Sequence, residues 1–422
     1  MVEITKMKAE KQKAEKEAFF CTTKELSRLG MEQIPTQFQS HKHLIYSSPA
    51  TLAFNSPGAE GFGVKRAGLA VPDSIMLIVA PGCCGRNTSL ISSMKEYNDR
   101  FYYLMMDETD IVTGRHLKKI PKAVEEICSV CPKKPSVVMI CITCVDALLG
   151  TDMERVCKKA EEQVEIPVRP CYMYALTREG RKPPMVHVRQ SLYSLLEPGK
   201  KKGNVVNLLG FFSPLVDDCE IYDLLHSAGV KTIHEISRCK DYKEYQTMSE
   251  ANFNLVLHHE ARFAAEDFHN RLQIPFIELR RLYQIDKIEN QYHALGNALG
   301  VAFYDEKYKK QAEDALEKFR QKCPDASFAI GECLNADPFE LSLALIRYGF
   351  SVPEIYGTIT VENFTYIRSL AKISPETKVF SNMEPTMIYY DPAKSDVNLA
   401  IGKDACYYHP DCPYVMWNGE EQ

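Results

Sequence analysis

The sequence predicts an α/β protein made of three Rossmann-like domains, each built on a parallel sheet. Apolar runs such as SIMLIV at residues 74–79 are too short for helices, and they alternate with amphipathic helical stretches. The alternation repeats after residue 203 and again after residue 325, and such alternation favours parallel α/β layers. Ligands of these folds bind outside the carboxyl ends of the strands, so we expect the chemistry there.

The elements follow in order along the chain. The first domain contains the strand-like runs SIMLIVAPG, FYYLMMDET and PSVVMICIT, with the helical stretch LKKIPKAVEEICSV before the last of them. In the second and third domains, helices are predicted to end at Gly229 and Gly349, because glycine suits the left-handed cap of a helix. A long charged helical stretch over residues 283–322 is predicted to join these two domains.

Composition shifts set the predicted boundaries. The segment EPGKKKG at residues 197–203 is polar and contains glycine and proline, as linkers do. The chain is therefore predicted to divide into four parts: an N-terminal helical segment at 1–45, a cluster-binding domain at 46–200, a second domain with a connecting helix at 201–322, and a third domain at 323–422.

Charge and hydropathy exclude several classes of partner. A net charge of −5 and a pI near 6.2 give no electrostatic reason to expect nucleic acid or an anionic membrane surface. The apolar runs are shorter than the roughly 18 residues of a membrane span. The N-terminus, MVEITKMKAEKQKAEKEAFF, is charged and has no apolar secretory core, so we expect a cytoplasmic location.

Fifteen cysteines are many for a chain in a reducing compartment, where structural disulfides are rare. CSVC at residues 128–131 and CITC at 141–144 have the spacing of a four-thiolate zinc or iron–sulfur site. The predicted local structure argues against a shared site, because Cys128 and Cys131 end a helix whereas Cys141 lies within a strand. We expect Cys141 to pack in the core, as buried cysteines such as Cys157 do.

Three other cysteines follow buried strands directly. Cys84 and Cys144 each lie where a strand gives way to a turn, and neighbouring strands would bring their thiols to one edge of a sheet. Soft thiolates on a rigid edge suit an iron–sulfur cluster. Cys83 is a third candidate ligand, although adjacent residues in a turn usually point apart. The alternative is that these are buried structural thiols.

A second candidate site follows the apolar run NLVL. His258, His259 and Arg262 come after this predicted strand, at its carboxyl end. A neutral imidazole can shuttle a proton, and an arginine can hold a carboxylate through two hydrogen bonds. We interpret these three as catalytic residues; the alternative is that they are structural or surface groups. Equivalent strand ends in the third domain carry the further candidates Glu332, Cys333, Lys403 and His409.

Five stretches resemble, in the right order, the nitrogenase component 1 superfamily. VPDSIMLIVAPGCC resembles the strand and turn that carry one cluster cysteine, and CVDALLGTDM resembles the segment that begins at the next. DETDIVTGRHLKKIPKAVEEI resembles the acidic segment that leads into a helix of the family. The run from LLHSAGVKTIHEI to LQIPFIEL is similar to nearly the whole second domain, and DVNLAIGKDACYYHPD to a late strand and turn of the third.

The resemblance implies an iron–sulfur subunit that receives low-potential electrons from a separate ATP-dependent iron protein. It implies a [4Fe–4S] cluster, or a larger cluster like the P-cluster, held by Cys84, Cys144 and Cys83 and bridging two subunits. It also implies a homodimer, or a heterodimer with a paralogous chain. In agreement with this division of labour, the chain contains no G-x-x-x-x-G-K-[ST] phosphate loop.

Two departures from the family argue against dinitrogen reduction. FNSPGAEGFG at residues 54–63 lacks the third cluster cysteine that the family often supplies. His258 and His259 stand where molybdenum nitrogenase has the cysteine that holds its active-site cluster. We therefore interpret the chain as the catalytic component of a nitrogenase-like reductase, acting on a small molecule in an interdomain cavity. The alternatives are a non-catalytic scaffold for assembly of a metal–sulfur cofactor and, outside the family, a zinc-stabilised α/β binding protein.

Overall fold

The computed structural model describes residues 17–39, 59–82, 95, 97–142, 149–172 and 182–417. These residues form three sheets and two compact units. The first compact unit lies within residues 57–281 and holds the first and second sheets; the second comprises the described residues before 57 and from 282 onward and holds the third sheet. The predicted α/β class with parallel sheets is confirmed, whereas the predicted domain boundaries stay a prediction.

The strands and helices are numbered in chain order. The strands are β1 (Phe20–Thr22), β2 (Ile75–Ala80), β3 (Phe101–Met105), β4 (Val138–Ile142), β5 (Val168–Tyr172), β6 (Val205–Leu209), β7 (Thr232–His234), β8 (Phe253–Val256), β9 (Phe276–Glu278), β10 (Ser327–Ile330), β11 (Ser351–Tyr356), β12 (Lys378–Phe380), β13 (Leu399–Ile401) and β14 (Tyr414–Val415). The α-helices are α1 (Thr23–Leu29), α2 (Ala59–Ala67), α3 (Glu108–Thr113), α4 (His116–Val130), α5 (Met153–Val164), α6 (Pro184–Tyr193), α7 (Glu220–Ser227), α8 (Tyr242–Gln246), α9 (Arg262–Leu272), α10 (Ile285–Leu299), α11 (Glu306–Lys322), α12 (Pro338–Arg347), α13 (Phe364–Ile373) and α14 (Lys403–Tyr408).

The first sheet has the strand order β3-β2-β4-β5, with all pairs parallel. Both faces of its central strands are covered, as the continuous apolar runs predict. Met139 and Cys141 on β4 face one core, while Ile140 and Ile142 face the other. The alternation follows from the two-residue period of a strand.

The second sheet has the order β7-β6-β8-β9 and is also parallel. It shares one apolar core with a face of the first sheet, and helix α6 contributes Val188 and Leu192 to that core. Helix α9 adds Phe268 from the second-sheet side. The two sheets are therefore joined by packed side chains within the first compact unit.

The third sheet has the order β1-β12-β11-β10-β13-β14. Strand β1 pairs with β12 in the antiparallel sense, and the other pairs are parallel. The described part of the N-terminal segment, residues 17–39, thus contributes an edge strand and helix α1 to this unit. In the part of the chain that the structure describes, no helix combines the length and apolar character needed to cross a membrane.

Glycines end helices where the sequence predicts it, and in one further place. Gly229 and Gly349 follow α7 and α12 with φ of +91° and +90°, which confirms both predicted ends. The single helical stretch predicted over residues 283–322 is wrong, because it is two helices. Gly300, with φ of +68°, caps α10 in the left-handed conformation, and α11 begins six residues later at Glu306.

Helix α9 offers a test of the shared core, because it carries one buried and one exposed phenylalanine. Phe268→Ala should lower the free energy of unfolding by about 3–5 kcal/mol, since Phe268 is fully buried. Phe263→Ala should cost less than about 1 kcal/mol, since Phe263 is 41% exposed and its ring contacts the Lys182 ammonium at the surface. Urea denaturation measures both values; equal losses would contradict the packing described here.

Candidate functional site

In each sheet, the strand order reverses at one pair of strands. The pairs are β2 and β4 in the first sheet, β6 and β8 in the second, and β10 and β13 in the third. At such a switch point the two loops leave in opposite directions and open a crevice in which α/β proteins bind ligands. The predicted site residues follow the strands of these pairs.

The predicted cluster cysteines follow, in the sequence, the two strands at the first-sheet switch point. Strands β2 and β4 are direct neighbours, with Val79 opposite Ile142. Cys83 and Cys84 follow the end of β2 by three and four residues, and Cys144 follows the end of β4 by two. These three cysteines lie outside the described residues. Their loops nevertheless start side by side, because neighbouring parallel strands are about 4.8 Å apart.

The start of the first of these loops is held by a tyrosine that the sequence analysis missed. The Tyr103 hydroxyl, on β3, shares its single proton between the carbonyl oxygens of Ala80 (2.9 Å) and Pro81 (2.5 Å). The hydroxyl thus fixes the backbone directly before Gly82 and Cys83. Only the pairing of β3 with β2 brings this side chain to the loop.

The four-cysteine alternative fails on geometry. Cys128 lies at the end of α4, Cys131 caps that helix, and both pack against the core on one face of the first sheet. Cys141 is fully buried on the opposite face, as predicted. A single metal ion cannot reach both faces, so CSVC and CITC do not form one site.

The second-sheet switch point brings Gly210 against His258. Gly210 follows β6 with φ of +138°, and a Cβ atom built on it would lie 2.7 Å from the backbone nitrogen of His258. A side chain at position 210 would push the two loops apart. Glycine is therefore required for the close approach of the chain that carries the two histidines.

Arg189 on α6 ties this switch point together and was not singled out by the sequence. Its Nε and Nη2 atoms donate to the Gly210 carbonyl oxygen at 2.9 and 2.6 Å, and Nη1 donates to the Met185 carbonyl oxygen at 2.9 Å. Nη1 also forms a 2.7 Å ion pair with Glu260. Arg189 is only 4% exposed, so these bonds compensate a buried charge.

His258 lies at the centre of this arrangement. Its Nδ1 accepts a hydrogen bond from the backbone N–H of Glu260 at 3.3 Å. Its ring contacts Phe211 edge to face and stacks on His259, with centroids 5.7 and 4.6 Å apart. Burial and the nearby positive charge of Arg189, followed by His259 and Arg281, lower the pKa of His258 to about 3. His258 is therefore a neutral imidazole at any physiological pH.

The other two predicted catalytic residues differ from His258 in their surroundings. His259 is exposed and contacts the site through its stacked ring. Arg262, the first residue of α9, donates from Nε and Nη2 to both carboxylate oxygens of Glu278, at 2.8 and 3.0 Å. The two-bond fork predicted to hold a substrate carboxylate thus holds a carboxylate of the chain itself, at the end of β9.

The third-sheet switch point is filled by the chain. The Asp404 carboxylate accepts hydrogen bonds from the backbone N–H groups of Glu332 and Cys333 at 2.9 and 3.1 Å. A Cβ at Gly331 would lie 2.0 Å from that carboxylate, so glycine admits it. Asp404 therefore satisfies two backbone N–H groups of the loop that follows β10.

His409, another candidate of the third domain, belongs to a buried network. Its Nε2 lies 2.9 Å from the Tyr390 hydroxyl and 3.1 Å from a Glu354 carboxylate oxygen. Burial raises the pKa of Glu354, but hydrogen bonds from His409 and Tyr390 outweigh it and leave that pKa below its ordinary value. The network stabilises the unit from within.

No group of three or more His, Cys, Asp or Glu side chains among the described residues is arranged to hold a metal ion. A groove of about 650 Å³ lies in the second compact unit between α10, α11 and the end of α12. Its basic side chains are paired with acids, as Arg347 is with Asp286 and Arg320 with Glu317. It contains none of the predicted site residues.

Comparison with known proteins identifies the family. A model of the family described as nitrogenase component 1 type oxidoreductase matches residues 60–408, more than half of the chain. The chain belongs to this family. It is also similar to a solved structure described as "Nitrogenase Cp1 at pH 6.5", with a TM-score of 0.66 and 18% identity over 92% of this chain and 89% of that one. That likeness shows the fold.

The chain is also similar to curated proteins that are named for cofactor biosynthesis. The chain is 25% identical to the nitrogenase iron-molybdenum cofactor biosynthesis protein NifE of Nostoc sp., over 63% of this chain and 57% of that protein. It is 24% identical to NifE of Clostridium pasteurianum, over 59% of this chain and 54% of that protein. The match to NifE of Sinorhizobium fredii, also 24% identical, covers 85% and 75%. The chain thus spans little more than half the length of the first two relatives.

The contact between Gly210 and His258 gives a prediction about folding stability. Gly210→Ala should reduce the free energy of unfolding by about 1 kcal/mol for the positive φ and by about 1–3 kcal/mol more for the forced separation of the loops. Gly229→Ala is the matched control, because Gly229 also has a positive φ but a Cβ there meets nothing within 4 Å. Denaturation midpoints of the two variants measure the difference; identical midpoints would show that the close approach is not required.

Proposed function

We propose that this chain is the cluster-carrying catalytic component of a nitrogenase-like reductase. The observation that carries the proposal is the direct pairing of β2 with β4 at the first-sheet switch point. The two loops that follow these strands contain Cys83, Cys84 and Cys144, and they start from one sheet edge. Thiolates on such an edge suit an iron–sulfur cluster, which would supply one-electron transfer when bound.

We propose that the substrate binds at the second-sheet switch point, next to His258. Its His258 is neutral, because burial and the charges of Arg189 and Arg281 disfavour a positive charge on that ring. A positive field next to a neutral donor favours an anionic small molecule. His258, His259 and Arg262 remain our catalytic candidates, with the fork of Arg262 bound to Glu278 in the structure described here.

The partners follow from what the chain must receive from elsewhere. Its sequence has no phosphate-binding loop, so ATP hydrolysis is assigned to a separate iron protein that delivers low-potential electrons. A cubane cluster commonly takes four protein ligands, and one chain offers two or three thiolates at this edge. We therefore propose a homodimer with a bridging cluster; a paralogous chain that supplies the missing ligands is the alternative.

A second function is favoured by the relatives. The curated proteins named above are cofactor biosynthesis proteins. By this analogy the chain would be a scaffold that holds a metal–sulfur precursor and releases it to a recipient. The two functions share the cluster site and differ in what leaves the protein, which is electrons in one case and metal in the other.

The cysteine assignment predicts a selective loss of iron. The protein, purified without oxygen, should contain iron and sulfide with little zinc, and Cys144→Ala should lose most of the iron. Cys157→Ala is the control, since Cys157 is buried in α5 and should leave the iron unchanged. Iron analysis with native mass should give a dimer with about four irons, or about eight for a fused cluster. Equal iron in the two variants, or a monomer with a full cluster, would contradict the assignment.

Electron delivery separates the two functions. A reductase predicts that an iron protein with MgATP reduces the cluster, that omission of ATP stops the reduction, and that the iron stays on the chain. A scaffold predicts that ⁵⁷Fe loaded on the chain moves to a metal-free nitrogenase component 1. Stopped-flow absorbance follows the first process, and Mössbauer spectra of the separated proteins follow the second. Rapid ATP-independent reduction by the iron protein would overturn the reductase proposal.

A further inference from the structure

The contacts of His258 determine which of its ring nitrogens carries the proton. Nδ1 accepts the Glu260 N–H, so the neutral ring must be protonated at Nε2. Among the described residues, Nε2 has no hydrogen-bond partner, and the side chain is 33% exposed. The ring therefore presents a N–H donor on its open side.

Glu260 and Arg189 keep the ring in this state. The Glu260 carboxylate lies 3.7 Å from Nδ1 of His258, near enough to pair with a protonated ring. It is held instead by the 2.7 Å ion pair with Arg189, whose other nitrogens are fixed by backbone carbonyl oxygens. The positive charge of Arg189 also opposes protonation of His258, as do His259 and Arg281.

We propose that His258 donates a hydrogen bond from Nε2 to an anionic or carbonyl oxygen of the ligand, with Glu260 and Arg189 as positioning residues. The proposal rests on the proposed function for the place of the ligand, and it names the ligand class: a carboxylate or a carbonyl compound. A neutral imidazole of low pKa suits this task, because it stabilises negative charge on an oxygen without being deprotonated or protonated at neutral pH. In this proposal the ligand oxygen is bound by His258 and not by Arg262, because Arg262 is already bound to the Glu278 carboxylate.

The tautomer can be tested on the purified chain. In ¹⁵N spectra of histidine-labelled protein, His258 should show the Nε2–H pattern and should not titrate between pH 5 and 8. His226 is the internal control, because its Nδ1 lies 2.9 Å from the Val230 carbonyl oxygen and is predicted to carry the proton. A Nδ1–H pattern at His258, or a midpoint near 6.5, would overturn the proposal.

The positioning pair has its own readout. Arg189→Met removes the competing cation and frees the Glu260 carboxylate for Nδ1, so the titration midpoint of His258 should rise by more than one unit. If that variant does not fold, Arg189→Lys keeps the charge without the fork and should shift the midpoint in the same direction by less. An unchanged midpoint in a folded variant would show that Arg189 does not act on His258.

Acetate is a suitable probe of the ligand class. Titration with sodium acetate should shift the His258 Nε2 resonance in a saturable way, whereas sodium chloride at equal ionic strength should not. Measured through the resonances of the stacked His259 ring, His258→Gln, which retains a donor near Nε2, should keep acetate binding, and His258→Phe should lose it at least tenfold. Equal binding by the two variants would refute the donor role. None of these readouts depends on a cluster or on turnover, so they can succeed even where the reductase proposal fails.

Discussion

The parallel pairing of β2 with β4 and of β6 with β8 is the constraint on which both candidate sites depend. Each pair lies at the point where the strand order of its sheet reverses, which is where open α/β sheets bind ligands. In the first sheet the loops carry three cysteines, and in the second they carry Gly210 and His258. Because the main-chain hydrogen bonds fix the register of the paired strands, the points at which these loops begin are set without any contribution from the loop side chains.

A buried charge completes the second site. Taking the Arg189 guanidinium out of water is expensive, and removal of one partner of such a pair commonly destabilises a protein by about 3–5 kcal/mol. Burial of this guanidinium is tolerated because its N–H donors bind Gly210, Met185 and Glu260. One side chain thus links α6, the end of β6 and the turn after β8, and its charge adds to the effect of burial in lowering the pKa of His258. Stability and site chemistry depend here on the same contacts.

Family membership and function are separate conclusions for this chain. The family match and the TM-score of 0.66 settle the fold. Sites grafted on one fold serve different reactions, so the role must be argued from residues. At the end of β8 this chain carries two histidines, and in the third-sheet crevice the Asp404 carboxylate binds two backbone N–H groups.

The sequence by itself determined the elements that depend on local pattern. The strands around SIMLIV, VVMICI and NLVL, the helix ends at Gly229 and Gly349 and the core position of Cys141 are visible in the periodicity of apolar residues, because burial on a strand or helix imposes that periodicity. It failed between residues 283 and 322, where Gly300 is one glycine within a charged helical pattern.

The tertiary structure decided which distant residues meet. Arg189 bonds to Gly210, 21 residues along the chain, and to Glu260, 71 residues along the chain. No local sequence pattern predicts these pairs. The same holds for Tyr103 with Pro81 and for Arg262 with Glu278. Such contacts arise only when strands distant in sequence become neighbours in a sheet. The type of each residue determines which hydrogen-bond donors, acceptors and charges it brings. The packing of the sheets decides which residue pairs with them.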